Sequence, residues 1–321
     1  MLTPEQLVRA ARNARAGQFE PTGKAGGADE LGRFIDGVAS GRVYPVPFPW
    51  PLLSSLTQAL IPGTVTLLCG DPGAGKTFFV LDCLRFWLDR KHDVSVFFVE
   101  KDRKFYLRRL LAQEEGNANL IDLDWIRQNA DEVREAKERH RQTLDAMGSR
   151  MELEGAGQRA TLRRIYSWAE EELKNGRRVL VVDPITAADA GESRWRTDDG
   201  FMVETQKLLT RYGASIILVT HPRKGNVTQK SGHDMSGGAA YFRFSDTTLW
   251  LNRLKKPKGV KIVGPHGYAK VKASTVIQIH KAREGKGTGG ELVYSFGNGL
   301  HFAEHGVVVA DLKEDEQEGL E

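Results

Sequence analysis

Cysteine is nearly absent. Cys69 and Cys83 are the only two in 321 residues, too few for a disulfide framework or a cysteine-ligated metal cluster. They read as small buried thiols without a chemical task. Long apolar runs are also missing: none reaches the length that crosses a bilayer, and Met1 to Arg15 is charged and alanine-rich where a secretory signal needs an apolar core. A cytoplasmic protein with no membrane partner is expected. Acids are unevenly distributed. Asp311 to Glu321 has six acids against one lysine, a net of −5, which leaves +9 on residues 1–310 of a chain whose total is +4. Between Leu254 and Ala273 there are six lysines and no acid. Basic excess suits a polyanionic partner. The length permits one or two domains with a large core.

What is present is led by Gly70-Asp71-Pro72-Gly73-Ala74-Gly75-Lys76-Thr77, which fits the phosphate-binding pattern G-x-x-x-x-G-K-[ST] at every fixed position. The run from Thr64 to Cys69 reads as a buried strand of a parallel sheet, and Thr77 to Leu88 as the following helix. In that setting glycines let the backbone approach phosphate oxygens and the helix N-terminus holds their charge. Lys76 neutralises the β/γ oxygens and Thr77 ligates Mg²⁺, so the expected cofactors are ATP and Mg²⁺, with the nucleotide contacted from Gly70 through Phe78.

Alternating strands and helices continue downstream, the pattern of a parallel α/β sheet. Val94 to Val99 is a strand ending at Glu100. A carboxylate at the end of a strand beside the phosphate-loop strand is a candidate base for activating water, or an ordinary helix cap. Val179-Leu180-Val181-Val182-Asp183 has the Walker B form, a buried strand delivering Asp183 to the Mg²⁺ shell. Ser215 to Thr220 is a further strand, after which His221 either touches the γ-phosphate or simply hydrogen-bonds at a strand end.

Before the core, Thr3-Pro4-Glu5-Gln6 resembles a capping box that starts a helix to about Ala16, and Gly17 to Gly27 reads as a flexible linker. Leu31, Phe34, Ile35 and Val38 make one apolar stripe on a short helix, packed on its own domain or on a neighbouring subunit. Tyr44 to Pro51 is an extended, proline-rich strap. Asp124 to Met147 and Ala160 to Lys174 have helical periods. Gly264-Pro265-His266-Gly267 sits at the middle of the lysine-rich segment and predicts a basic β-hairpin that follows a nucleic-acid backbone or keeps an edge strand soluble.

The order of these features resembles the RecA-like ring ATPases, and among them the superfamily 4 hexameric replicative helicases of the DnaB, plasmid RepA and mitochondrial Twinkle type. The resemblance spans roughly Pro47 to Phe302. It rests on the motifs above with Arg108-Arg109-Leu110-Leu111-Ala112, Thr220-His221-Pro222-Arg223-Lys224, Ser236-Gly237-Gly238, Ser245-Asp246-Thr247 through Leu251, and Lys281-Ala282-Arg283-Glu284-Gly285 before Gly289-Gly290 and Phe296. It implies an α/β fold: a RecA-like P-loop NTPase core with a mostly parallel sheet flanked by helices, plus an N-terminal helical and linker segment.

The expected domains are 1–51 as a helical docking arm, 52–305 as the motor, and 306–321 as a disordered acidic tail. The resemblance further implies Glu100 as general base, His221 as γ-phosphate sensor, and Lys281 and Arg283 reaching the nucleotide of a neighbour in a homo-oligomeric, hexameric ring. A loader or replication-initiation protein is an expected partner. The chain departs from DnaB at its N-terminal end, where DnaB's globular domain and any primase module have no counterpart, and at Pro184 after the Walker B acid.

Single-stranded DNA is expected on two glycine-containing, mobile loops that such rings turn toward their channel. One is Ala187 to Gly200, with Arg194, Trp195 and Arg196 offering phosphate contact and stacking. The other is Pro222 to Ser236, with Arg223, Lys224 and Lys230. The expected activity is ATP hydrolysis driving translocation and unwinding. A recombination or regulatory ATPase that does not unwind, and an ATP-bound scaffold, remain open at this point.

Overall fold

The structure is a computed structural model that describes residues 26–153, 160–189, 194–222, 239–297 and 299–312. Strands β1 (Val65–Gly70), β2 (Val94–Phe98), β3 (Met151–Leu153), β4 (Val179–Asp183) and β5 (Ser215–Thr220) join β6 (Thr247–Gly264), β7 (Gly267–Ala282), β8 (Glu291–Phe296) and β9 (Phe302–Asp311) in one nine-stranded sheet, in the order β3-β2-β4-β5-β1-β6-β7-β8-β9. Pairing is parallel from β3 to β6 and antiparallel from β6 to β9. β9 also pairs back onto β6, which closes the antiparallel end into a small barrel.

The parallel strands are apolar because both of their faces are covered. Adjacent side chains on a strand point to opposite faces, so Phe97 joins one core cluster and Phe98 the other; Leu67 and Leu68, Val181 and Val182, and Leu218 and Val219 divide in the same way. On one face the cluster is closed by α3 (Lys76–Asp89), whose Phe79, Leu84 and Trp87 pack with Phe48 and Trp50 of the strap, and by α4 (Arg103–Glu115). On the other lie α8 (Leu162–Lys174), α9 (Arg194–Tyr212) and α10 (Ala239–Phe244), with Trp168, Met202 and Tyr241. Full burial of each such side chain stabilises the fold by about 1.5–3 kcal/mol.

The remaining helices are α1 (Gly27–Ala39), α2 (Pro51–Thr57), α5 (Leu123–Gln128), α6 (Ala130–Arg139) and α7 (Arg141–Gly148). The last three fill the expected helical segment near Asp124–Met147. Helix α1 forms where its apolar stripe predicts it, yet Leu31, Phe34, Ile35 and Val38 are 49–58% exposed. The helix therefore has an apolar face that the described residues leave largely uncovered. Both cysteines are free and buried. Among the described residues no helix is long and apolar enough to cross a membrane.

Three expectations need correction. The strand of Glu100 is not beside the phosphate-loop strand: β4 and β5 lie between β2 and β1. Arg194 to Arg196 belong to the start of α9 rather than to a loop. Residues 306–311 continue β9, so the acidic segment is strand up to Asp311. The expected N-terminal helix and the loop cations Arg223, Lys224 and Lys230 lie outside the described residues, as do residues 313–321 of the tail.

Candidate active site

The first five strands are parallel, so their C-terminal ends share one edge. Gly70 ends β1, Thr220 ends β5 beside it, Asp183 ends β4, and Glu100 follows β2. The sheet order therefore interposes the strand of His221 between the phosphate-loop strand and the strand of Asp183.

The loop itself is shaped by two glycines. A Cβ on Gly70 would stand 2.6 Å from the Leu251 carbonyl oxygen of β6. Gly75 has φ +101°, which an L side chain resists, and a Cβ there would meet the Phe302 ring at 2.9 Å. Gly75 is the N-cap of α3 and caps it with no side chain. The first N–H groups of the helix, Lys76 to Phe78, thus have no acceptor within the helix and are available to an anion.

Lys76 is 7% exposed, and its ammonium donates to the carbonyls of Gly70 (2.7 Å) and Asp71 (3.1 Å). Burial lowers its pKa, and the Asp183 carboxylate works against that shift. Thr77 Oγ1 lies 3.2 Å from Asp183 Oδ2. Burial pushes the Asp183 carboxyl up to about 6, opposed by Lys76 and by the Thr77 hydrogen bond. Glu100 Oε1 and His221 Nε2 are 3.8 Å apart, an ion-pair separation. The His221 imidazole holds the Glu100 carboxyl below the usual range, with burial acting the other way. His221 Nδ1 is buried and has no hydrogen-bond partner among the described residues.

These residues fit a nucleotide with its metal. A buried cation turned onto loop carbonyls, an uncapped helix N-terminus and an unpaired imidazole nitrogen all await an anion at one edge. Thr77 and Asp183 are hard oxygen donors of the kind that hold Mg²⁺. The Phe78 side chain instead packs on Phe296, with ring centroids 5.5 Å apart, so Phe78 offers the site its backbone N–H.

A profile of the AAA domain family matches residues 46–227, more than half of the chain. The chain belongs to this family. Among solved structures, it is similar to a DnaB-like replicative helicase described with its interactions with primase, with a TM-score of 0.64 and 15% identity over 94% of this chain and 71% of that one. It is also similar to a separately solved ATPase domain, with a TM-score of 0.66 and 16% identity over 88% of this chain and 100% of that one. A KaiC-like protein, PH0186 from Pyrococcus horikoshii OT3, reaches a TM-score of 0.52 and 17% identity over 82% and 99%. At such identities the likeness is one of fold. No curated protein sequence matches the chain. The family, the loop and the sheet order together make it a nucleotide-binding, RecA-like P-loop ATPase.

Lys281 and Arg283 lie elsewhere on this AAA domain chain. β6 starts level with Thr66 near the beginning of β1, and β7 returns antiparallel to end at Ala282 opposite Thr247. Both cations are therefore at the edge opposite the phosphate loop. Lys281 donates to the carbonyls of Phe242 (2.9 Å) and Arg243 (3.2 Å) at the end of α10. Arg283 bonds the Arg243 carbonyl and Asp246 Oδ1, both at 3.1 Å. Asp246 in turn accepts the Val65 N–H at 2.9 Å.

One junction on the phosphate-loop helix was not legible in advance. Asp82 of α3, at 9% exposure, accepts from Gln113 and from the Phe302 N–H and pairs with His301 Nδ1 at 2.5 Å. This buried junction ties β9 to the phosphate-loop helix. Arg109 stacks on Phe105 with its guanidinium 3.4 Å from the ring centroid. An acid on a helix and a histidine more than two hundred residues later carry no pattern that joins them.

Proposed function

We propose that the chain is a ring-forming, hexameric ATP-driven motor that translocates on single-stranded DNA and unwinds duplex, with each hydrolytic site shared by two subunits. One observation carries this reading: Lys76, Thr77, Asp183, Glu100 and His221 gather at one sheet edge, while Lys281 and Arg283 stand at the other. The cations cannot serve their own nucleotide. A second subunit docked edge to edge brings them to it, so hydrolysis is coupled to assembly.

In this reading the α3 N-terminus and Lys76 hold the phosphates, and Thr77 and Asp183 hold Mg²⁺, which when bound neutralises charge on the β- and γ-oxygens. Glu100, kept ionised by His221, accepts the proton of the attacking water. His221 Nδ1 is free to contact the γ-phosphate and report its loss. Arg283 exchanges Asp246 for the neighbour's transferring phosphoryl group. Contact with DNA falls to Arg194, Trp195, Arg196, Arg223, Lys224 and Lys230, in the segments that follow β4 and β5.

The open face of α1 supplies the docking arm. Asp29, Glu30 and Asp36 outweigh Arg33 on that helix. A groove of about 450 Å³ between α4, α5, α6 and α7 is lined by the apolar Leu107, Leu111, Val133 and Leu144 and by Lys104, Arg108, Lys137 and Arg141 with one acid, Asp145; Lys137 and Arg141 also pair with Glu138. Apolar stripe and acidic flanks match the groove's apolar and mainly basic lining, which supports α1 of one subunit lying in this groove on the next.

The test is a mass measurement with and without ATP and single-stranded DNA, paired with unwinding of a forked duplex by the same sample. A ring and strand separation are expected. ATP hydrolysis stimulated by DNA without strand separation would favour a recombination or regulatory ATPase, and a monomer under all conditions would reject the shared site.

A further inference from the structure

Beyond Leu251, β6 runs on past the sheet edge that carries the phosphate loop, for up to about 40 Å of extended chain, before turning at Gly264–Gly267. Cross-strand partners share a face and side chains alternate. The register pairs Lys261 with Lys270, Gly259 with Lys272, and Val263 with Tyr268. Lys261, Lys270, Lys272 and Tyr268 consequently stand on one face of the hairpin. The other face carries Val260, Ile262 and Ala273, which are buried with Val276 and Val293 inside the small barrel that β9 closes.

One face of this hairpin is thus used for packing and the other is cationic. The three lysines are exposed, Tyr268 is 72% exposed, and Lys261 Nζ lies 5.0 Å from the Tyr268 ring centroid. Lys258, outside this face, spends its charge locally on Glu291 and Asp311, at 2.9 Å and 3.2 Å. Edge protection explains part of the pattern at most. Among the described residues, 267–274 of β7 pair on one side only, but Lys261 lies on a stretch of β6 paired on both sides, to β7 and to β9. Protection of an edge also calls for no exposed aromatic.

We infer that this face is a second nucleic-acid contact, separate from the segments that follow β4 and β5. Lys261, Lys270 and Lys272 bind the phosphodiester backbone, and Tyr268 stacks on an unpaired base. The inference rests on the nucleic-acid motor proposed above and adds to it a contact that projects from the nucleotide edge, where a strand entering or leaving a subunit would pass. Binding of this kind is independent of base sequence and steeply dependent on salt.

The experiment is fluorescence anisotropy of a labelled oligothymidine with the full chain, from 50 to 300 mM salt. In the triple variant Lys261→Glu, Lys270→Glu, Lys272→Glu, affinity at low salt should fall at least about tenfold, and the log–log salt slope should lose about 2 from its magnitude. Tyr268→Ala should lose about 5- to 150-fold affinity with its slope unchanged. ATPase activity without DNA and nucleotide binding should match the parent, which shows that the variants fold. A Lys→Gln triple variant gives an intermediate loss. Charge reversal keeps β7 protected, so edge protection predicts no change in affinity. The same outcome follows if the lysines hold the acidic residues 313–321 of their own chain. Unchanged affinity and slope in a chain that does bind the oligonucleotide would overturn this inference alone; no binding by the parent would overturn the motor reading with it.

Discussion

The parallel strands β1, β2, β4 and β5 are apolar almost throughout and covered on both faces, whereas the distal parts of β6 and β7 alternate valine, isoleucine or alanine with lysine. The difference follows from what each part of the sheet can bury. Helices flank the parallel strands, so an ionisable side chain is tolerated only at or past a strand end, and Glu100, Asp183 and His221 are found there. The hairpin beyond Leu251 has one interior, the barrel core, and its other face is free to carry charge. Chemistry in the first region is therefore confined to an edge, while in the second it spreads along a face. The two regions meet again at the far edge, where β7 ends beside Asp246 and leaves Arg283 as far from its own phosphate loop as β1 is long.

The largest effect should come from breaking the separation of the two edges. Arg283→Ala should lower DNA-stimulated ATP turnover by about 10³- to 10⁵-fold while nucleotide binding persists. Mixing that variant with Glu100→Gln should restore part of the activity, because some interfaces then pair an intact Glu100 edge with an intact Arg283. Steady-state rates of the single and mixed samples decide this, and no recovery on mixing would mean that the two residues do not serve one shared site.

Next, Glu100→Gln alone should slow single-turnover hydrolysis by about 10²- to 10⁴-fold with nucleotide affinity intact. A wild-type rate would remove Glu100 as the base.

Asp183 sharpens the comparison at the level of stability. Its folded pKa of about 6 lies above the ordinary carboxylate value, so the fold retains this proton longer than the unfolded chain does. Stability from this group is therefore lost as pH rises from about 4 to about 6, and above that range its ionisation costs about 3 kcal/mol. Asp183→Asn should accordingly raise the Tm of the nucleotide-free protein at neutral pH, flatten its change between pH 4 and 6, and abolish Mg²⁺-dependent nucleotide binding. Calorimetry across that pH range would show it.

The smallest effect concerns the junction of the two regions. The hydrogen bond to Asp82 raises the His301 pKa, with burial opposing it. His301 therefore contributes stability below the ordinary imidazole range that is lost as pH rises through its folded value. The ring is 40% exposed, so screening leaves less than about 1 kcal/mol, or ~2–3 °C in Tm. In His301→Gln this slope above neutral pH should disappear from thermal melts.

Much of the fold was readable from pattern. Short apolar runs ending in Gly70, Asp183 and His221 announced buried parallel strands, and the glycine spacing announced the phosphate loop. Lysines around Gly264 to Gly267 announced a hairpin, because alternation and turn chemistry are local properties. The lateral order of the strands was not local. Nothing in the residues of β2 states that β4 and β5 lie between it and β1, so Glu100 was expected one strand away from the phosphate loop and stands three away. The Asp82–His301 pair, the start of α9 at Arg194 and the continuation of β9 to Asp311 escaped for the same reason, since each depends on a neighbour remote in the chain.

By itself the sequence determined that this protein binds nucleotide on a parallel α/β sheet and carries a basic hairpin, since backbone-phosphate geometry and two-residue alternation are written in contiguous residues. Tertiary structure alone decided that the five nucleotide-edge residues share one edge, that Arg283 and Lys281 occupy the opposite one, and that three lysines and a tyrosine share a face. Strand order, direction and register are set by packing between segments far apart in the chain.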